Sequence, residues 1–144
     1  MIGEVAPEMN SLIKRYATPS VRFTGYLPAE RVAGWYRDSD VFAFPSVNEG
    51  LARVLLEAMA AGLTVVATKS SGAEDCITPG EDGTIIPARD VGALAHAILW
   101  HFENPAATEV MGKAARAKIE ARFTVAKYEE RMISIYNSLK PSTS

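Results

Sequence analysis

The chain has 144 residues, 48% of them hydrophobic and 22% charged, with a formal net charge of −2. That is the size and composition of one globular domain, and the charge balance excludes a general electrostatic attraction to nucleic acid. A single cysteine, Cys76, excludes an internal disulfide and a cysteine metal cluster. No apolar run approaches the roughly 18 residues of a membrane span, and Met1 to Asn10 lacks a signal-peptide layout, so a cytoplasmic protein is expected.

In chain order, Glu8 to Ala17 predicts a helix with Met9, Leu12, Ile13 and Tyr16 on one face. Thr18-Pro19-Ser20 breaks it. Val21 to Thr24 reads as a short strand ended by Gly25, with Tyr26-Leu27-Pro28 a loop. Pro28 suits a first helical turn, and the helix runs to about Arg37 with Val32, Trp35 and Tyr36 inward. Asp38-Ser39-Asp40 has the D-x-D form that can hold a metal on a sugar diphosphate, but Asp40 is better read as leading into strand Val41 to Phe44. Thr64 to Thr68 is β-branched and apolar, a strand buried on both faces. Lys69 to Gly72 is a loop, Ala73 to Ile77 a short helix, Pro79 to Gly83 a tight turn, and Thr84 to Pro87 a last strand. Asp90 is an N-cap, and the helix beyond it places Val91, Leu94, Ala95, Ile98 and Leu99 inward. His96 and His101 are surface or packing residues, since neither has acidic or Cys partners at ligand spacing. Two further helices span about Ala106 to Ala121 and Val125 to Leu139, the latter with Tyr128, Met132, Ile135 and Tyr136 on one face. Lys113, Arg116, Lys118 and Arg122 read as a solvated basic stripe, and Pro141 to Ser144 as a frayed tail. Strands alternating with helices predict an α/β, Rossmann-like, doubly wound parallel sheet. Ligands in such sheets bind outside the carboxyl ends of the strands.

The central stretch is Pro45 to Gly62, PSVNEGLARVLLEAMAAG. It leaves the end of strand Val41 to Phe44, passes through a turn and enters a helix that stops at Gly62. Glu49 lies at or just outside the helix N-terminus, and Glu57 nearly two turns further on. Between them stand the free N–H groups of Leu51 to Val54 and the positive end of the helix dipole, which favour an anion. An acceptor, an anion seat and a second acceptor in that order suit a nucleotide-sugar.

This string, Pro45-Ser46, Glu49-x7-Glu57 and Glu57-Ala58-Met59-Ala60-Ala61-Gly62, resembles the donor-site signature of the group 1 (family 4) GT-B glycosyltransferases. The resemblance covers nearly all of the chain and implies the C-terminal donor-binding domain, over residues 1–140, incomplete at its N-terminus. Ile2-Gly3 would end that domain's apolar strand, with Glu4 to Pro7 as the turn. The preceding strand and helix, with the family's diphosphate-gripping Arg and Lys, and the acceptor domain would lie outside this chain. The chain alone is therefore expected to have little or no transfer activity.

By the same resemblance, Glu49 is the catalytic position, facing the donor sugar and accepting from its hydroxyls. Gly50, Leu51 and Ala52 would line the sugar, the N–H groups of Val54 and Leu55 would reach the diphosphate, and Glu57 would hold the ribose hydroxyls. Tyr26 and Leu27 would border the base. The donor would be a UDP-, GDP- or ADP-linked hexose used without a metal or other cofactor. Transfer would retain the anomeric configuration, in polysaccharide or glycoconjugate biosynthesis, and the full-length enzyme could make peripheral membrane contact. Departures from the pattern are Leu51-Ala52 for the usual Phe-Gly, Ser71-Gly72 for the glycine pair before Glu74, and Arg53 where an apolar residue is common. Arg53 is open to a phosphate-ligand or a surface role, and Glu74 reads as a solvated-face residue. Two other functions fit the residues: a nucleotide-sugar epimerase or phosphorylase on the same fold, and a non-catalytic truncated binding module.

Overall fold

The computed structural model describes residues 6–16 and 18–139. The strand end at Ile2-Gly3, most of the turn after it, and the tail at 141–144 lie outside the described residues.

Contacts cluster the chain into two units, Met1–Asp38 and Ser39–Ser144. In the first, a 3-10 turn at Pro7–Met9 leads into α1 (Asn10–Tyr16), and α2 spans Ala29–Arg37. The face expected for α1 is largely open, with Met9, Leu12 and Tyr16 exposed and only Ile13 half-buried. In α2 the expected side is the sheltered one: Tyr36 is buried, and Val32 and Trp35 are half-buried. Residues 21–24 do not form the expected strand. A strand exists only where a neighbour completes its ladder of hydrogen bonds, and this segment is not a member of the sheet.

The second unit carries a three-stranded parallel sheet in the order β1 (Val41–Phe44), β2 (Thr64–Thr68), β3 (Gly83–Ile86). Val41 pairs with Thr64 and Phe44 with Ala67; Val65 pairs with Gly83 and Thr68 with Ile86. Every residue of β2 is buried. Successive side chains of a strand point to opposite faces, so both faces of the sheet centre are covered. α3 (Arg53–Ala60) and α5 (Pro105–Arg122) pack on each other and on β2, and α4 (Val91–Glu103) packs on α5 and on all three strands. This is the expected α/β arrangement.

α3 is apolar where it meets the sheet, burying Leu55, Ala58 and Met59. It ends at Gly62, φ +87, where Gly62 N–H donates to the Met59 carbonyl and Leu63 N–H to the Ala58 carbonyl. That pair of bonds is a Schellman stop. α5 crosses just beyond it: a Cβ on Gly112 would stand 2.2 Å from the Gly62 carbonyl oxygen. Only a residue without a side chain permits that approach.

Asp90 caps α4 as expected, accepting from Ala93 N–H at 2.8 Å. The face of α4 does not follow the expectation. Val91 is 79% exposed, and Ile98 and Leu99 are also exposed. The buried side chain is His101, whose Nε2 meets Thr84 Oγ1 at 3.1 Å and whose Nδ1 meets Thr108 Oγ1 at 2.9 Å. Thr64 Oγ1 in turn donates to the Thr108 carbonyl at 2.6 Å. α4 is apolar on nearly every side, so its pattern does not single out one face, and a polar network decides which side turns in. The expected stripe on α6 (Val125–Leu139) is exposed at Tyr128, Met132, Ile135 and Tyr136.

The basic stripe expected on α5 is also corrected. Lys113 and Arg116 are exposed and pair with Glu109 and Glu120 along the helix. Lys118 instead turns inward onto buried Asp82, and donates to the Cys76 carbonyl at 3.1 Å and Thr78 Oγ1 at 2.7 Å. Asp82 Oδ1 accepts from Thr78 N–H at 2.7 Å. The lysine thus locks α5 to the turn between β2 and β3.

Candidate functional site

β1 runs out at Phe44, and the next eight residues, 45–52, form the connection to α3. β2 runs out beside it at Thr68 and continues into 3-10 turns at Lys69–Ser71 and Ala73–Asp75. Parallel pairing puts both connections at the carboxyl edge of the sheet. There they are bonded together: Glu49 N–H donates to the Ser70 carbonyl at 3.0 Å, and the Thr68 and Ser70 hydroxyls both donate to the Ser46 carbonyl.

The residues from Val47 to Leu51 are exposed on this edge, Glu49 among them. Ala52 precedes the helix with φ −72 and ψ 119, an ordinary extended conformation that needs no glycine, and no side chain caps the helix. Replacement of the common Gly by Ala52 is therefore free of backbone strain here. The helix starts at Arg53, two residues later than the sequence suggested. The first N–H groups of a helix have no intrahelical acceptor. Leu55 N–H is engaged by the Ala52 carbonyl at 3.0 Å, which leaves Arg53 and Val54 as the amides facing out of the helix end. Leu55 itself is fully buried. Of the two amides expected to reach a diphosphate, Val54 is among those facing out and Leu55 is engaged within the first turn.

Glu57 lies one turn beyond Arg53 on the same exposed face, about 6 Å up the helix. Its Oε1 stands 3.7 Å from Arg53 Nη2, with both side chains open to solvent. A contact of that length between exposed groups contributes little to stability, so Arg53 is at liberty to turn to another anion. Glu74, on the neighbouring turn, pairs with Lys69 at 3.4 Å and is exposed, in keeping with its solvated-face reading.

Tyr26 and Leu27 belong to the first unit, whereas Glu49 and Glu57 belong to the second. They follow Gly25, φ +66, with Tyr26 79% exposed and Leu27 half-buried. Asp38 closes α2, and the Asp40 carbonyl accepts from Thr64 N–H at 3.2 Å at the start of the sheet. Among the described residues no three His, Cys, Asp or Glu side chains gather as a metal ion would require. No helix among them is long and apolar enough to cross a membrane.

The arrangement is an acidic residue in a turn, an uncapped helix end and a second acid one turn into that helix, all at the carboxyl edge of a parallel sheet. The sequence profile described as "Glycosyl transferases group 1" matches residues 1–104, most of the chain. The chain belongs to the group 1 glycosyltransferases. Among its relatives, the lipopolysaccharide core biosynthesis mannosyltransferase LpcC of Rhizobium leguminosarum is 33% identical over 83% of this chain and 33% of its own length. A GDP-mannose-dependent mannosyltransferase of Corynebacterium glutamicum, acting on a monoacylated phosphatidylinositol monomannoside, is 32% identical over 89% of this chain and 36% of its own. In structure, HepE of Anabaena, solved in complex with UDP, superposes with a TM-score of 0.85 at 26% identity, over 96% of this chain and 40% of HepE. The fold is accordingly the Rossmann-like α/β fold of a GT-B glycosyltransferase. The chain spans about a third to two fifths of the length of these glycosyltransferases.

The E-x7-E string thus lies on the connection and helix that follow β1, at the carboxyl edge of the parallel sheet, where sheets of this kind bind ligands. The sequence did not reveal the partners of the turn that carries Glu49. Thr68 ends β2 and Ser70 follows it, neither belongs to a motif, and only pairing of β1 with β2 brings their hydroxyls to Ser46.

Proposed function

We propose that this chain is the donor-binding part of a glycosyltransferase and that its Glu49–Glu57 segment seats a nucleoside diphosphate sugar. The observation that carries the reading is the uncapped end of α3, with Arg53 and Val54 amides facing out between two exposed carboxylates. An uncapped helix end gives up about 1 kcal/mol of stability relative to a Ser or Asp cap. It gains an anion seat with aligned N–H groups and the positive pole of the dipole.

In this reading the diphosphate rests at the N-terminus of α3. Glu57 accepts from the ribose hydroxyls, as two oxygens on one carboxylate can. Glu49 faces the sugar, lined by Gly50, Leu51 and Ala52. Breaking the anomeric C–O bond puts negative charge on the leaving diphosphate, and the helix end stabilises that charge as it develops. Arg53 leaves its weak contact with Glu57 and adds a cationic partner to the phosphates. The helix end meets the diphosphate without a metal or other cofactor, and transfer of a hexosyl group retains the anomeric configuration. The acceptor-binding residues lie outside this segment, so the chain by itself turns over little or no donor. Relatives named for lipopolysaccharide and phosphatidylinositol mannoside synthesis support a polysaccharide or glycoconjugate acceptor.

One relative is named for GDP-mannose and the structural neighbour holds UDP, so the base is a matter for titration. Calorimetry of the chain against UDP, GDP and ADP is expected to find one preferred diphosphate and to lose it in Glu57→Ala. Binding that persists unchanged in Glu57→Ala removes the ribose role, and binding of none of the three removes the donor-site reading.

A further inference from the structure

Resting on that reading of the donor site, we propose that Thr68 and Ser70 are positioning residues that hold Glu49 at the sugar, independently of the helix that holds the nucleotide. The Ser46 carbonyl accepts two hydroxyls, from buried Thr68 and from Ser70, the latter at 3.0 Å. A carbonyl oxygen has two lone pairs, so this acceptor is saturated from one side. Three residues on, the bond runs the other way, with Glu49 N–H donating to the Ser70 carbonyl. Ser70 therefore grips both ends of the segment from Ser46 to Glu49. The grip continues at Gly72: a Cβ there would stand 2.6 to 2.7 Å from Leu51 Cα, Leu51 N and the Gly50 carbonyl oxygen. The turn carrying Glu49 thus rests directly on the backbone after β2.

The gripping side is itself fixed. Buried Ser71 donates from Oγ to the Thr68 carbonyl at 2.6 Å. Gly72, at φ +68, joins the two 3-10 turns, and its carbonyl accepts from Asp75 N–H. None of these bonds touches α3 from Arg53 onward. Glu57 is placed by the helix and its packing on the sheet, Glu49 by this clamp. Loosening the clamp is therefore expected to misplace the sugar-facing acid and leave the nucleotide-facing helix end as it was. A displacement on the order of 1 Å at a positioning contact can cost up to a hundredfold.

The test compares affinities for the preferred nucleoside diphosphate and for its hexose conjugate in the 144-residue chain. Thr68→Val with Ser70→Ala removes both donors, and Thr68→Ser keeps them. Thermal melts of the variants establish that each is folded. The double variant is expected to weaken binding of the sugar conjugate about tenfold with less than about a twofold change for the diphosphate, and Thr68→Ser to behave as the unmodified chain. Equal weakening of both ligands, or no change in either, overturns the proposal, because a merely structural role would not separate the two ligands. If the unmodified chain binds neither ligand, the donor-site reading fails first. Amide exchange at Glu49 then judges the clamp alone: faster exchange by about tenfold in the double variant upholds it as the device that holds the turn, and unchanged exchange removes it.

Discussion

Replacing Lys118 by Met tests the packing of α5 on the sheet through one ion pair. Asp82 is 2% exposed and accepts from Lys118 and from Thr78 N–H. Lys118 also satisfies the Cys76 carbonyl and the Thr78 hydroxyl. Methionine matches the stem of lysine, so the substitution removes the charge and its hydrogen bonds while roughly keeping volume. It leaves a buried carboxylate with one backbone donor. Removing one partner of a buried pair costs about 3 to 5 kcal/mol, a large share of the roughly 5 to 15 kcal/mol that a domain has in all. With a urea slope near ~2 kcal/mol/M, the midpoint should fall by ~2 M. Adding Asp82→Asn removes the orphaned charge and keeps an acceptor for Thr78 N–H, so the double variant should recover more than half of the loss. Urea unfolding of the two single variants and the double variant, read as a cycle, gives the coupling. A loss below about 1 kcal/mol in Lys118→Met, or a double variant no better than the single, would show that the pair behaves as a solvated surface bridge and refute the reasoning.

Four other outcomes follow from the packing. Gly112→Ala drives a Cβ against the Gly62 carbonyl and should cost about 1 to 3 kcal/mol by urea unfolding. Gly34→Ala, whose Cβ meets only the end of Arg37 at 4.0 Å, should instead add about 0.5 to 1 kcal/mol. Burial lowers the pKa of His101 below its ordinary value, so the unfolded chain binds that proton more readily than the folded one. The stability due to neutral His101 is present above about pH 6.5 and is lost as pH falls through and below that value. The loss is bounded by one proton, about 1.4 kcal/mol per pH unit, and His101→Gln should flatten that part of a stability–pH profile. Burial pushes the Cys76 thiol up to about 11 against the opposing effect of nearby Lys118, so thiol reagents at neutral pH should label it only at the rate of unfolding.

Much of this was legible in the chain. Thr64 to Thr68 reads as a strand covered on both sides, because a run of β-branched or apolar residues without a charged position leaves no solvent face. The α3 stop at Gly62 and the Asp90 cap follow from local chemistry, and the site segment from a long specific string. The misread features are those that depend on residues distant in sequence. Nothing in the spacing of Lys118 within α5 distinguishes it from Lys113; only Asp82, on the turn between β2 and β3, draws it inward. His101 is buried because Thr84 and Thr108 supply hydroxyls to both ring nitrogens, a match that hydrophobic periodicity does not register. Residues 21–24 have strand propensity, but propensity alone does not recruit a neighbour. At the candidate site, the strand–turn–helix that carries the two acids was readable, whereas the start of the helix was misplaced by two residues and the hydroxyl bonds to Ser46 were invisible.

The central claim is that Glu49 and Glu57 serve opposite ends of one donor. Its most direct test is a paired titration of Glu49→Gln and Glu57→Gln with the preferred nucleoside diphosphate and with its sugar conjugate. The account predicts that Glu57→Gln weakens both ligands alike, whereas Glu49→Gln leaves the diphosphate unchanged and abolishes the extra affinity due to the sugar. Loss of both ligands in both variants, or a variant that leaves both ligands bound as before, would contradict it.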